Sequence, residues 1–181
     1  MIHVAIRMHD GAADEQMEDE LTNALHLTKP DIDFNDFRRE LFSPTEANIL
    51  VMLTAAKYMA GKNLEAIRIG EEILFALERS HSRLSDYKVL QINLAHNLSQ
   101  ILQDEGRYQE ALLYAKKAEN LSICGTEQFL LPEIEFSIAQ ILNNMKKKAG
   151  SRMRMEALIP YMRLIGKKEM ADLVQEYLEK T

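Results

Sequence analysis

The chain has no tryptophan, one cysteine, four prolines and seven glycines in 181 residues. A single cysteine excludes an internal disulfide framework and suits a reducing compartment. So little proline and glycine leaves small scope for long irregular stretches. No apolar run approaches the ~18–20 residues that span a bilayer, so no membrane partner is expected. The opening Met1-Ile2-His3-Val4-Ala5-Ile6-Arg7 is too short and too soon charged for a secretory signal, and a cytoplasmic protein is expected. Catalytic patterns are missing as well. The five histidines (His3, His9, His26, His81, His96) form no metal-binding pair at i, i+4, and there is no phosphate-cradling glycine loop or nucleophile elbow. Neither an enzyme nor a bound metal or cofactor is expected. Leu121, Ile123 and Phe129 surround Cys124 in sequence, which predicts a buried or half-buried structural thiol.

What is present is ordinary for a folded domain: 46% hydrophobic and 28% charged residues, enough for one sizeable core. Ten methionines suit uneven helix packing and adaptable binding surfaces. The net charge of −6 argues against direct nucleic-acid binding by this chain, because gripping a duplex requires several phosphates to be neutralised. The charge is uneven: residues 1–46 carry eleven acids against four bases, and residues 146–168 eight bases against one acid. Lys146, Lys147, Lys148, Arg152 and Arg154 read as a solvated turn and helix face.

The strongest internal signal is a repeat. Gly61-Lys62-Asn63-Leu64-Glu65-Ala66 returns 45 residues later as Gly106-Arg107-Tyr108-Gln109-Glu110-Ala111. Each copy ends one amphipathic helix and starts another, and periods of this size mark stacked helical hairpins. Ser43-Pro44-Thr45-Glu46 is a capping box with proline at the first helical position, opening a helix from about Pro44 to Met59. A second helix runs from about Leu64 to Arg79, with Leu64, Ile67, Gly70, Leu74 and Leu77 as its inward stripe. Ser85 or Asp86 caps a third helix reaching Asp104. Tyr108, Ala111, Leu112, Ala115 and Ala118 mark a fourth, whose small residues let backbones approach closely.

A weaker copy follows. Ser99-Gln100-Ile101-Leu102 maps onto Ala139-Gln140-Ile141-Leu142 at an offset of 40, inside a helix from about Pro132 to Met145. The stretch Lys146 to Arg154 lacks the glycine turn, and Pro160 predicts a kink or a late start for the next helix. A final helix from about Lys168 to Leu178 reads as a cap, with Met170, Leu173, Val174, Tyr177 and Leu178 on one side. At the front, Gly11 sits 50 residues before Gly61, with Met17, Leu21, Ala24 and Leu25 as a second helix of a truncated unit. Residues 30–43 form a longer connection with room for a short helix. The expected division is one domain over 1–181: partial repeat 1–29, repeats 44–80 and 85–122, degenerate repeat 130–164, capping helix 167–180.

Leu98, Ser99, Leu102, Gly106, Tyr108, Ala111, Ala115 and Ala118, with Leu53, Gly61, Ala66 and Gly70 in the preceding unit, resemble the tetratricopeptide repeat. Asn63 and Ile73 depart from it, where an aromatic and an alanine are usual. The resemblance implies an all-α, tetratricopeptide-like α-α superhelix, a right-handed solenoid of hairpins with a C-terminal capping helix. The runs Leu27 to Phe34, Leu41 to Asn48, Leu130 to Glu133 and Ile165 to Glu169 resemble the C-terminal repeat region of Firmicute helix-turn-helix/tetratricopeptide-repeat transcriptional regulators. No helix-turn-helix is found here, so a fragment or truncated product of such a regulator is expected. In that family some relatives sense short peptides in the repeat groove.

The resemblance places the first helix of each pair on the concave face. The polar residues expected there are Asn93, His96, Asn97, Gln100 and Gln103, then Gln140, Asn143 and Asn144. Each carboxamide offers donors and an acceptor, which suits the alternating polarity of an extended peptide backbone. A short peptide or protein segment in that groove is the expected partner. The alternative expectation is a homodimer without a small ligand, formed through the N-terminal partial repeat, where Ile2, Val4, Ile6, Met17 and Leu21 are left partly uncovered.

Overall fold

Eight helices make up the secondary structure of the described residues: α1 (Gly11–His26), α2 (Pro44–Met59), α3 (Asn63–Arg79), α4 (Ser85–Asp104), α5 (Tyr108–Cys124), α6 (Leu131–Asn144), α7 (Lys148–Leu164) and α8 (Lys168–Glu179). The computed structural model describes residues 11–34, 36–37, 40–79, 85–124 and 129–180, without the side chains of 11–15 and 85–86. The expected helix remnant at 2–8 and the side chains of the expected caps Ser85 and Asp86 lie outside that description.

The repeat is built by one turn used four times. After α2, the N–H of Ala60 bonds Ala56 O, that of Gly61 bonds Tyr58 O, and that of Lys62 reaches back to Lys57 O. The same three bonds recur around Gly106, Lys146 and Gly166. These bonds satisfy carbonyls left open at the helix end, and the residue at the bend takes a left-handed conformation. Gly61, Gly106 and Gly166 have φ of 76°, 72° and 83°. Lys146 takes the same place with φ 60°. Five residues past each bend stands a small, fully buried residue: Ala66, Ala111, Ser151 or Ala171. The third turn, expected to be missing, is therefore present with lysine in the glycine's place. Because the turn forms, α7 begins early, at Lys148, and continues through Pro160, so the expected late start does not occur. Pro160 is on the exposed side, where its missing N–H leaves a carbonyl to solvent.

Elsewhere the capping box forms as expected. Ser43 N–H donates to Glu46 Oε2 at 2.8 Å, and Glu46 N–H donates to Ser43 Oγ at 3.3 Å. The connection before it contains no helix among its described residues. An edge-to-face aromatic chain, His26–Phe34–Phe37–Phe42, fills it instead, with Phe37 fully buried. Two further expectations are corrected. Leu64 is 70% exposed: the rest of its expected stripe, Ile67, Gly70, Leu74 and Leu77, is buried together with Ala66, Ile69 and Ile73, while Leu64 stands in the first turn of α3 to one side of that face. Cys124 is exposed at the last residue of α5, where the apolar neighbours Ile123 and Phe129 also face out.

α2, α4 and α6 form one layer and α3, α5 and α7 the other. Within the first layer, α2 packs on α4 and α4 on α6. The second layer is joined across wider gaps by long side chains: Tyr114 to Glu71 at 2.9 Å, Lys117 to Glu78, and Arg154 to Glu119 at 2.9 Å. Closer spacing in the α2–α4–α6 layer puts it on the inside of the bend. Leu98, fully buried, sits under Gly70, where an added Cβ would meet its Cδ2 at 2.8 Å. That close approach is why glycine stands in the middle of α3 despite its helix cost of ~1 kcal/mol. A second small core (Phe136, Met155, Leu158, Ile159, Met162, Val174) holds α8 against the end of the stack. No helix among the described residues is long and apolar enough to cross a membrane.

Candidate functional site on the inner helices

Helical spacing puts Asn93, Asn97 and Gln100 of α4 on one line at i, i+4 and i+7, on the side away from α3 and α5. All three are half-buried. An offset of 40 carries these three and the following Asp104 onto Glu133, Ser137, Gln140 and Asn144 of α6, and an offset of −45 carries them onto Asn48, Met52, Ala55 and Met59 of α2. The inner face thus changes along the stack, from methionines on α2 (Met52 44% and Met59 40% exposed) to amides on α4 and α6. Asn48, Met52 and Met59 are not among the sequence candidates, although the 45-residue offset that defined the repeat places them on the same line.

The sequence candidates divide into two groups. Asn93, Asn97, Gln100 and Gln140 are half-buried on the inner line, and Asn144 is exposed at the end of α6. The Nδ2 of Asn97 is buried, and among the described residues it has no hydrogen-bond partner. An amide hydrogen withheld from water without a partner costs ~1–3 kcal/mol, and Asn63 Oδ1, Ser122 Oγ and Glu133 Oε2 are buried in the same way. His96, Gln103 and Asn143 lie to one flank, toward the next inner helix. His96 is buried, with Nε2 3.0 Å from Ser137 Oγ, and links α4 to α6. Burial holds its pKa down at about 4, against a smaller upward pull from Glu133, so the ring is neutral. Asn143 Nδ2 donates to Tyr177 Oη at 3.2 Å, tying α6 to the capping helix, while Tyr177 also stacks edge-to-face on Phe136.

Charged groups frame the amides. Glu133, one position up the line from Ser137, is held by Lys167 at 2.6 Å. Tyr58 donates to Asp104 across α2 and α4. Behind the inner layer, Arg154 joins Glu119 and Glu135. Burial pushes the Glu119 carboxyl up, but hydrogen bonds from Glu135, Lys116 and Arg154 outweigh it and bring the group to about 2. Glu135 is pushed up, by burial first and then by Glu119. Among the described residues no cluster of His, Cys, Asp and Glu is arranged to hold a metal ion. The inner line presents amide donors and acceptors beside thioethers.

No family model matches the chain, and no curated protein matches it. Among solved structures, the chain is similar to PlcR of Bacillus thuringiensis, crystallised in complex with the peptide PapR7 and DNA. The identity is 13%, over 89% of this chain and 69% of that one, with a TM-score of 0.59. At that identity the likeness concerns the fold: this chain is an all-α, tetratricopeptide-like superhelix.

Proposed function

We propose that this chain is a peptide-binding helical-repeat module, the sensing part of a bacterial transcriptional regulator. The observation that carries the reading is the line of half-buried amides, Asn93, Asn97, Gln100 and Gln140, on two successive inner helices. A peptide laid across α4 and α6 offers backbone carbonyls to Asn97, Gln100 and Gln140 and backbone N–H groups to the same amides' oxygens. Such pairing is indifferent to peptide sequence, so specificity falls to apolar side chains on Met52 and Met59, whose thioethers adapt to varied shapes. The solved neighbour of similar fold was captured with a peptide and DNA, which supports a regulator's peptide-sensing domain as the class. The reading assigns no nucleic-acid contact to these residues.

Isothermal titration against pools of short peptides with apolar side chains tests it. Loss of one to two hydrogen bonds in Asn97→Ala is expected to weaken the selected peptide about tenfold. Binding that Asn97→Ala and Gln140→Ala both leave unchanged refutes the site, and no binding from any pool refutes the function.

A further inference from the structure

The outer faces of the second-layer helices differ in one respect. The turns at Gly61, Gly106 and Lys146 align α3, α5 and α7 residue by residue. On the line where α3 has Arg68, half-buried Glu72, Phe75 and Arg79, and α5 has Leu113, half-buried Lys117, Asn120 and Cys124, α7 has Met153, Ala157, Pro160 and Leu164. All four are exposed, Met153 at 66% and Leu164 at 85%, with Tyr161 beside them at 37%. An uninterrupted apolar line opposite a helix's own buried face is not needed to hold this fold, since Ser151, Met155, Leu158, Ile159 and Met162 already do so. Continuous exposed patches of this kind mark interaction surfaces.

We infer that the outer face of α7 binds α7 of a second copy of this chain, antiparallel about a two-fold axis near Leu158 and Ile159. The pattern is self-complementary about that point. Met153 meets Leu164 of the partner copy at each end, and Ala157 meets Pro160 in the middle, where small side chains let the helices approach. Charge is complementary too. Glu156 and Arg163 sit on the same flank of the line, and in an antiparallel two-fold pair like flanks face each other. Glu156 of one copy then lies within about two residues, or ~3 Å along the axis, of Arg163 in the other. Among the described residues these groups make exposed pairs, Glu156 with Arg152 at 2.8 Å and Arg163 with Asp172 at 3.6 Å, which cost little to exchange. The opposite flank, at Arg154, is occupied by Glu119 and Glu135, so one side of the line is free for this exchange. The seam runs about 16 Å, shorter than a standard interface, and a weak, reversible dimer is expected.

Sedimentation of the whole chain over a range from about 1 to 200 μM tests this, since the range brackets a micromolar constant. The expected result is a reversible monomer–dimer equilibrium. Ala157→Glu, at an exposed position and with a good helix former, is expected to weaken it at least about tenfold with unchanged circular dichroism. Glu156→Arg and Arg163→Glu alone are expected to weaken the dimer, and the double variant to recover it. A chain that is monomeric throughout overturns the inference. So does a dimer that Ala157→Glu leaves untouched, which would place self-association elsewhere, the N-terminal partial repeat included. Peptide affinity is a separate readout, so either result leaves the amide groove to be judged alone.

Discussion

Exchanging lysine and glycine between two copies of the same turn isolates the cost of one backbone angle. Lys146 holds φ 60° in a bend where the other three copies place glycine at 72° to 83°. A left-handed residue with a Cβ costs ~1–2 kcal/mol, and glycine returns ~0.5–1 kcal/mol of that through its freer unfolded chain. Lys146→Gly is therefore expected to stabilise the fold by about 0.5–1 kcal/mol, or roughly 1–4 °C in melting temperature for a domain of this size. The reverse change, Gly106→Ala, is expected to destabilise by a similar or larger amount. An added Cβ at Gly106 meets nothing within 4 Å, so its effect is conformational and not steric. Thermal and urea unfolding of both variants beside the parent measure the pair. The reasoning is refuted if Lys146→Gly lowers stability, or if Gly106→Ala leaves it unchanged.

Other perturbations probe the interior. His96 is held at about pKa 4 in the fold against 6.5 when free, so its neutral form is favoured by folding. Its contribution is complete above pH 6.5 and is lost as the pH falls toward 4, by about 3 kcal/mol in all. The urea midpoint of the parent is expected to drop more steeply over that window than that of His96→Gln, and parallel profiles would contradict this. Arg154→Met removes the one guanidinium shared by Glu119 and Glu135 and is expected to cost about 2–3 kcal/mol, less than a fully buried pair because these groups keep some solvent contact. Adding Glu135→Gln is expected to recover part of that loss in the same unfolding assay. Gly70→Val is expected to destabilise by about 1–3 kcal/mol through collision with Leu98 and Thr54, measurable as a lower melting temperature.

The hairpins were legible where chemistry is local. Ser43 and Glu46 announce the start of α2, and Gly61 and Gly106 the bends, because few residue types satisfy those geometries. The third bend was not legible at Lys146, since a lysine gives no sign that neighbouring hydrogen bonds will hold it left-handed. Only the fully buried Ser151, five residues on and in register with Ala66 and Ala111, carried the signal. Leu64 and Cys124 were misjudged for one reason. Both stand at a helix end, Leu64 in the first turn of α3 and Cys124 at the last residue of α5, and apolar character in sequence does not fix whether a neighbouring element covers a side chain there. The inner amides were legible as a periodic set, but burial separates Asn97, with its unmet donor, from His96 and Asn143, which are engaged with Ser137 and Tyr177. That distinction depends on α6 and α8, distant in sequence.

The account turns on the inner line of α2, α4 and α6 as the place where a peptide is held. Side-chain amide resonances of Asn93, Asn97, Gln100 and Gln140, followed by NMR during titration with a selected peptide, address this directly. These four are expected to shift together and saturate at one common constant, with the Asn97 amide moving most. Shifts confined to the outer faces of α3, α5 and α7, with the four amides still, would contradict it.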